Sequence, residues 1–224
     1  MDEGEIGRQP TARQLAAMRT YSELMDELRV RLEWIEYAGN GRTGMDRRLV
    51  LEFGLLQLRM IVEVFALACL VAHGDIAEAQ GHKLRGSWSA DEILNRLERL
   101  HPDFYPQAMQ EGSRGSAGER SFKEREPDYM TKAGLIELYR KECGNGLHRG
   151  SLKNLLSPRQ PVRKGYPELF GPAQRIANLL AFHRLSLIDG DSLLLCHLAD
   201  PVEGKAKVSF AVAAGPWHRP PAGR

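Results

Sequence analysis

The sequence predicts a mostly α-helical α+β domain: a bundle of four or five helices with a small C-terminal antiparallel β-sheet. Two long stretches carry apolar residues at three- and four-residue spacing and are joined by a Gly-rich turn, the pattern of an antiparallel helical hairpin. Two leucine-rich runs flank Asp189-Gly190-Asp191, the pattern of a β-hairpin. The chain has 224 residues, 42% of them hydrophobic and 27% charged. That is enough apolar mass to bury a core, and it excludes an intrinsically disordered chain.

The first helix is expected from Thr11 to about Tyr37. Leu15, Met18, Leu24, Leu28, Leu32 and Ile35 form its apolar stripe, Thr11 is its N-cap, and Gly39-Asn40-Gly41 stops it. A second helix runs from about Met45 to Ala72 and ends at His73-Gly74-Asp75. Its second half is apolar over most of its circumference, which places it at the centre of the bundle. Arg59 and Glu63 interrupt this run at i,i+4 and are expected to pair, with Glu52 close to the same stripe. A membrane span would hold those charges in hydrocarbon, so no membrane is expected. Ser89 to Glu92 reads as a capping box opening a third helix, which stops at His101-Pro102.

Residues 107–130 read as a surface loop, anchored at its start by Phe104-Tyr105-Pro106. Thr131 opens a further helix to about Glu142. The glycines of Cys143-Gly144-Asn145-Gly146 cost a helix about 1 kcal/mol each relative to Ala, so a break or a close backbone approach is expected there. A last helix is expected over Glu168 to Leu180. Strands follow at 183–188, 192–198 and 206–213. In domain terms this gives a flexible N-terminus over 1–10, a helical bundle over 11–182, a three-stranded sheet over 183–214 and a flexible tail over 215–224.

Charge is nearly balanced, 31 Lys and Arg against 29 Asp and Glu. A polyanion partner would therefore need a local patch. Basic residues gather at Arg42, Arg47 and Arg48, and again at Arg149, Lys153, Arg159, Arg163 and Lys164. Such clusters attract backbone phosphates, and solvated loop charges explain them equally well. Three widely spaced cysteines, Cys69, Cys143 and Cys196, make no disulfide framework and read as reduced thiols. The N-terminus lacks an apolar core segment, so it is not a signal peptide, and a cytoplasmic location is expected.

The run Thr131…Leu138-Tyr139…Cys143-Gly144…Leu147-His148 resembles a signature of an uncharacterised group of bacterial proteins. The Phe104-Tyr105-Pro106 cluster and the stretch Ala177 to His183 are similar to theirs too. This resemblance covers residues 90–213. It implies a shared fold and no established activity. A looser resemblance is to the HEPN-like superfamily of helical bundles, many of them toxin or defence ribonucleases. Their motif places an Arg four to six residues before a His. Here seven residues separate Arg140 from His148, while Asn145 stands near the polar position. That resemblance implies His148, Arg140 and Asn145 as catalytic residues, with RNA as a partner.

Two readings of His148 stand side by side. A histidine near neutral pKa serves as general acid or base, with Arg140 stabilising a phosphate transition state. Equally, His148 hydrogen-bonds a neighbouring helix and fixes the glycine-rich break. The spacings of Cys143, His148, His183, Cys196 and His197 match no compact zinc pattern, so neither metal nor cofactor is expected. Cys143 fits a small buried hydrophobe better than a nucleophile. The favoured functional reading is a non-catalytic helical interaction or binding module, a homodimer through helix-on-helix pairing, with an RNA or protein partner. The alternative is a HEPN-like ribonuclease or RNA-binding protein of toxin or defence type. In that alternative Arg149, Lys153, Arg163 and Lys164 supply phosphate contacts.

Overall fold

The computed structural model describes residues 8–81, 86–87, 89–114, 120–143 and 166–212. Among the described residues, five α-helices and a five-stranded antiparallel sheet make an α+β fold.

Helix α1 spans Ala12–Gly39. Its capping box is formed by Thr11 and Gln14. The Gln14 N–H donates to Thr11 Oγ1 at 3.2 Å, and the Thr11 N–H donates to Gln14 Oε1 at 2.9 Å. Asn40 closes the helix, and Gly41 takes φ 72°, a left-handed turn open to glycine at no steric cost. Helix α2 spans Arg47–Ala72, capped by Asp46, whose Oδ1 accepts the Arg48 N–H at 2.9 Å. It is long and apolar enough to cross a membrane, and a little over half of its most apolar stretch is buried inside the protein. Arg31 Nη1 donates to Gln57 Oε1 at 2.8 Å and fixes the register of the α1–α2 hairpin.

Helix α3 spans Ala90–Leu100. Ser89 is its N-cap, but the expected capping box is not formed. The Ser89 hydroxyl turns to Asp91, and Glu92 is engaged instead by the Ser87 hydroxyl at 3.1 Å. Two nearer partners have displaced the reciprocal bond.

The segment expected as a surface loop at 107–130 carries two strands, β1 (Gln107–Arg114) and β2 (Arg120–Glu124). Their ladder, rather than an apolar run, holds them. β1 pairs with β2 on one side and with β3 on the other, Gln107 opposite Arg184 and Ala108 opposite His183. Gly112 lies so close to Ser121 that a side chain there would strike its hydroxyl. Phe104 is buried, and the Tyr105 hydroxyl donates to the Met130 carbonyl at 2.9 Å, so this cluster anchors the hairpin as expected.

Helix α4 (Lys132–Glu137) runs straight into a π-helical turn over Leu138–Cys143. Helix α5 spans Tyr166–Leu180 and crosses α2 at Gly54, where the Leu169 side chain fills the space a Cβ would need. Strands β3 (Phe182–Ser186), β4 (Ser192–His197) and β5 (Lys207–Val212) complete a sheet ordered β2-β1-β3-β4-β5. The sheet is thus five-stranded rather than three-stranded. The β3–β4 turn is built as expected: Gly190 has φ 80°, and Asp189 accepts the Ser192 N–H at 2.8 Å and its hydroxyl at 2.7 Å. Within the expected flexible N-terminus, Arg8 pairs with Asp189 at 3.0 Å.

The core lies between the α1–α2 hairpin and one face of the sheet. Tyr21, Met25 and Leu28 of α1 meet Ile61, Phe65 and Cys69 of α2 and Leu185, Leu194 and Cys196 of the sheet. A buried polar contact crosses it. The Tyr21 hydroxyl and His183 Nε2 are 2.8 Å apart, and His183 Nδ1 is 3.0 Å from the Leu180 carbonyl. Only a carbonyl-bound Nδ1–H leaves Nε2 free to accept, so the tyrosine donates. Tyr21→Phe strands that buried nitrogen and is expected to cost about 1–3 kcal/mol in urea unfolding.

Candidate functional site

The π-helical turn sets Tyr139 against the charged pair singled out on α2 and carries the neighbouring Arg140 to the surface. Arg59 Nε donates to Glu63 Oε1 at 3.0 Å, the Tyr139 hydroxyl donates to the same oxygen at 3.1 Å, and the Arg59 guanidinium stands 5.7 Å from the Tyr139 ring centre. The bond to Glu63 raises the Arg59 pKa, and burial raises that of Tyr139. The expected i,i+4 bridge is therefore present, half-buried, and fully engaged. Glu52 is exposed and outside it.

Arg140 projects from the π turn to the surface, 58% exposed, and pairs with Asp91 of α3, Nε to Oδ2 at 2.6 Å. Burial pushes the Asp91 carboxyl up, but the Ser89 hydroxyl and the Arg140 guanidinium outweigh it and hold the pKa below its ordinary value. An open depression of about 550 Å³ lies beside this pair, and Glu92, Asn95 and Glu98 also line it. Arg99 lines it too, and Glu98 is paired with Lys132, but an arginine already neutralised by a carboxylate is a poor ligand for phosphate. Exposed pairs of this kind contribute little, so Arg140→Ala is expected to change the unfolding free energy by less than about 1 kcal/mol.

His148, Asn145, Arg149, Lys153, Arg159, Arg163 and Lys164 lie outside the described residues, as do residues 1–7 and 213–224. The structure therefore places Arg140 alone of the expected site. Cys143 is buried, and burial pushes its thiol up to about 12, far from a nucleophile's range. Cys69 and Cys196 are buried and free, their thiols raised for the same reason. His183 is committed to Tyr21, and His197 stacks on Phe182 at 4.1 Å. Among the described residues no group of three or more His, Cys, Asp or Glu is placed to hold a metal ion.

Two features escaped the sequence reading. One is a buried histidine pair, His73 and His101, at the C-caps of α2 and α3, with ring centres 5.3 Å apart. The adjoining Gly74 and Pro102 mark helix ends, and nothing in the sequence says that the ends meet. The other is the outer face of the α1–α2 hairpin. Val30, Trp34 and Tyr37 on α1, with Leu49, Leu56 and Leu67 on α2, are each between 39% and 52% exposed. Phe53 and Met60 stand half-buried along the α2 stripe. The Trp34 and Tyr37 rings meet edge-on at 5.2 Å, and Arg42 caps Tyr37 at 5.8 Å. The register set by Arg31 and Gln57 brings Trp34 level with the Phe53–Leu56 turn. α2 was expected at the centre of the bundle. It is buried on most sides, but this stripe faces outward.

In comparison with known proteins, no family model, no curated protein and no solved structure matches this chain.

Proposed function

We propose that this chain is a non-catalytic interaction module, and that the outer face of its α1–α2 hairpin docks a second copy of itself. The exposed apolar stripe carries the reading. Helices with one solvated face are polar there, and one that stays apolar marks a surface meant to be covered. Trp34 and Tyr37 are residue types that dominate binding energy at interfaces.

Size and shape favour a second copy. The stripe from Leu49 to Leu67 is about 27 Å long at 1.5 Å per residue, and two helices side by side are about 20 Å wide. That face, about 500 Å² in projection, is of the order that a stable dimer needs, where each partner covers about 800 Å² of accessible surface. Two hairpins related by a two-fold axis make a four-helix arrangement, with the same patch used on both sides.

The ribonuclease reading rests on Arg140 and His148. The engagement of Arg140 with Asp91 speaks for a structural role and against a phosphate ligand. The test is co-purification of two differently tagged copies. Retention of one by the other, lost on Leu56→Glu, supports the module. Copies that never retain each other, with RNA cleaved by wild type and spared by His148→Ala, would replace it with the ribonuclease.

A further inference from the structure

We propose that His73 and His101 form a proton-operated clasp, which fastens the ends of α2 and α3 to the β3–β4 hairpin and releases that corner in mild acid. Three approaches define it. His73 Nδ1 lies 2.8 Å from the Cys69 carbonyl oxygen and His73 Nε2 lies 3.2 Å from the Ser186 carbonyl oxygen. His101 Nε2 lies 2.9 Å from that same Ser186 oxygen. A neutral imidazole carries one N–H, so the closed, neutral pair has two protons for three approaches. One ring nitrogen of His73 therefore meets a carbonyl lone pair to lone pair.

An added proton would supply the missing donor, but it returns little. The Cys69 carbonyl already accepts the His73 backbone N–H at 3.1 Å, and the Ser186 carbonyl already takes His101. Against that small gain stand the loss of hydration of a buried imidazolium and its repulsion by the second ring. Phe104 packs edge-on to His73 at 6.1 Å and adds no polar partner. The groups acting on the His73 ring are two carbonyls and His101. The carboxylates of this corner are turned elsewhere, Asp75 to Arg13 at 3.5 Å and Asp189 to Arg8 at 3.0 Å, and Arg13 also donates to the Gly74 carbonyl. Neither of these two carboxylates acts on the His73 ring. Burial accordingly pulls the His73 pKa down to about 4. The open corner, where the rings are hydrated, binds the proton better than the closed one, and acid opens it.

Hydrogen exchange at pH 7.5 and 5.5, corrected for intrinsic rates, reads the clasp. Amides of 73–77, 101–105 and 186–189 are expected to lose protection about ten-fold at the lower pH through a local opening that low urea does not speed, whereas those of 54–66 exchange only through the urea-sensitive global unfolding. The double variant His73→Gln, His101→Gln should flatten that dependence. Protection that is equal at both pH values, or lost evenly along the chain, overturns the proposal. If the double variant does not fold, ring resonances of the wild type decide. A His73 ring neutral at pH 6, whose titration moves the Ser186–Leu187 amides, supports the clasp, and a ring already charged at neutral pH sinks it.

Discussion

Lowering the pH from 7.5 to 5 is expected to cost the fold about 4 kcal/mol, roughly 2 from each of two buried histidines. His73 and His183 are both held to about 4, against an ordinary value of 6.5, chiefly by burial. Their depressed folded-state values mean that the unfolded chain binds protons first. Their contribution is therefore complete above about pH 6.5, falls through the window below it, and is gone once the pH passes below 4. The stake is large because a domain of this kind holds about 5–15 kcal/mol in all. Urea unfolding at pH 7.5, 6 and 5 measures it as a falling midpoint. His183→Asn keeps a donor for the Leu180 carbonyl and cannot titrate, so it should remove about half of the dependence. A midpoint that does not move between pH 7.5 and 5 would contradict the buried, neutral state of both rings.

Leu56→Glu and Trp34→Glu are each expected to weaken self-association at least 100-fold, equivalent to about 3 kcal/mol. Each puts a carboxylate at the middle of the outer face, where a second copy would strip its water. Neither touches the core, since both side chains are already 44–48% exposed. The unfolding midpoint of the isolated chain should then hardly move. Loss of association with unchanged stability is the signature, and loss of both would point to misfolding. Glu36→Ala, also exposed and on the other flank of α1 from Trp34, serves as the neutral comparison.

Much of the helical frame was legible because helix signals are local. The Thr11 cap, the Gly39-Asn40-Gly41 stop and the Leu28 and Ile35 positions of the α1 stripe each act within a few residues and are present, whereas Leu15 of that stripe is exposed and Tyr21 and Met25 are buried in its place. The Asp189-Gly190-Asp191 turn was legible for the same reason. β1 and β2 were not. Met109, Phe122 and the polar residues around them carry no clean alternation, and their strand state comes from pairing, β2 with β1 and β1 with β3, the latter some 75 residues away in sequence. The Ser89 capping box failed because Ser87 and Asp91 compete for its members, which spacing does not reveal.

The site was less legible than the fold. Of the expected catalytic group only Arg140 has a described position, and its partner Asp91 lies on another helix. The His73–His101 contact joins two helix ends that the sequence separates by 28 positions. The all-round apolar character of α2 was visible, but the sequence could not divide core from outer stripe. That division depends on where α1 and the π turn cover the helix and where they leave it bare. A ridge such as Leu49, Leu56 and Leu67 thus reads in sequence like core.

Sedimentation equilibrium over a wide range of protein concentration tests the interaction reading most directly. The mass is predicted to rise from 25.1 kDa to twice that value, and to stay at 25.1 kDa throughout for Leu56→Glu. A wild-type chain that remains at 25.1 kDa at every concentration would contradict it.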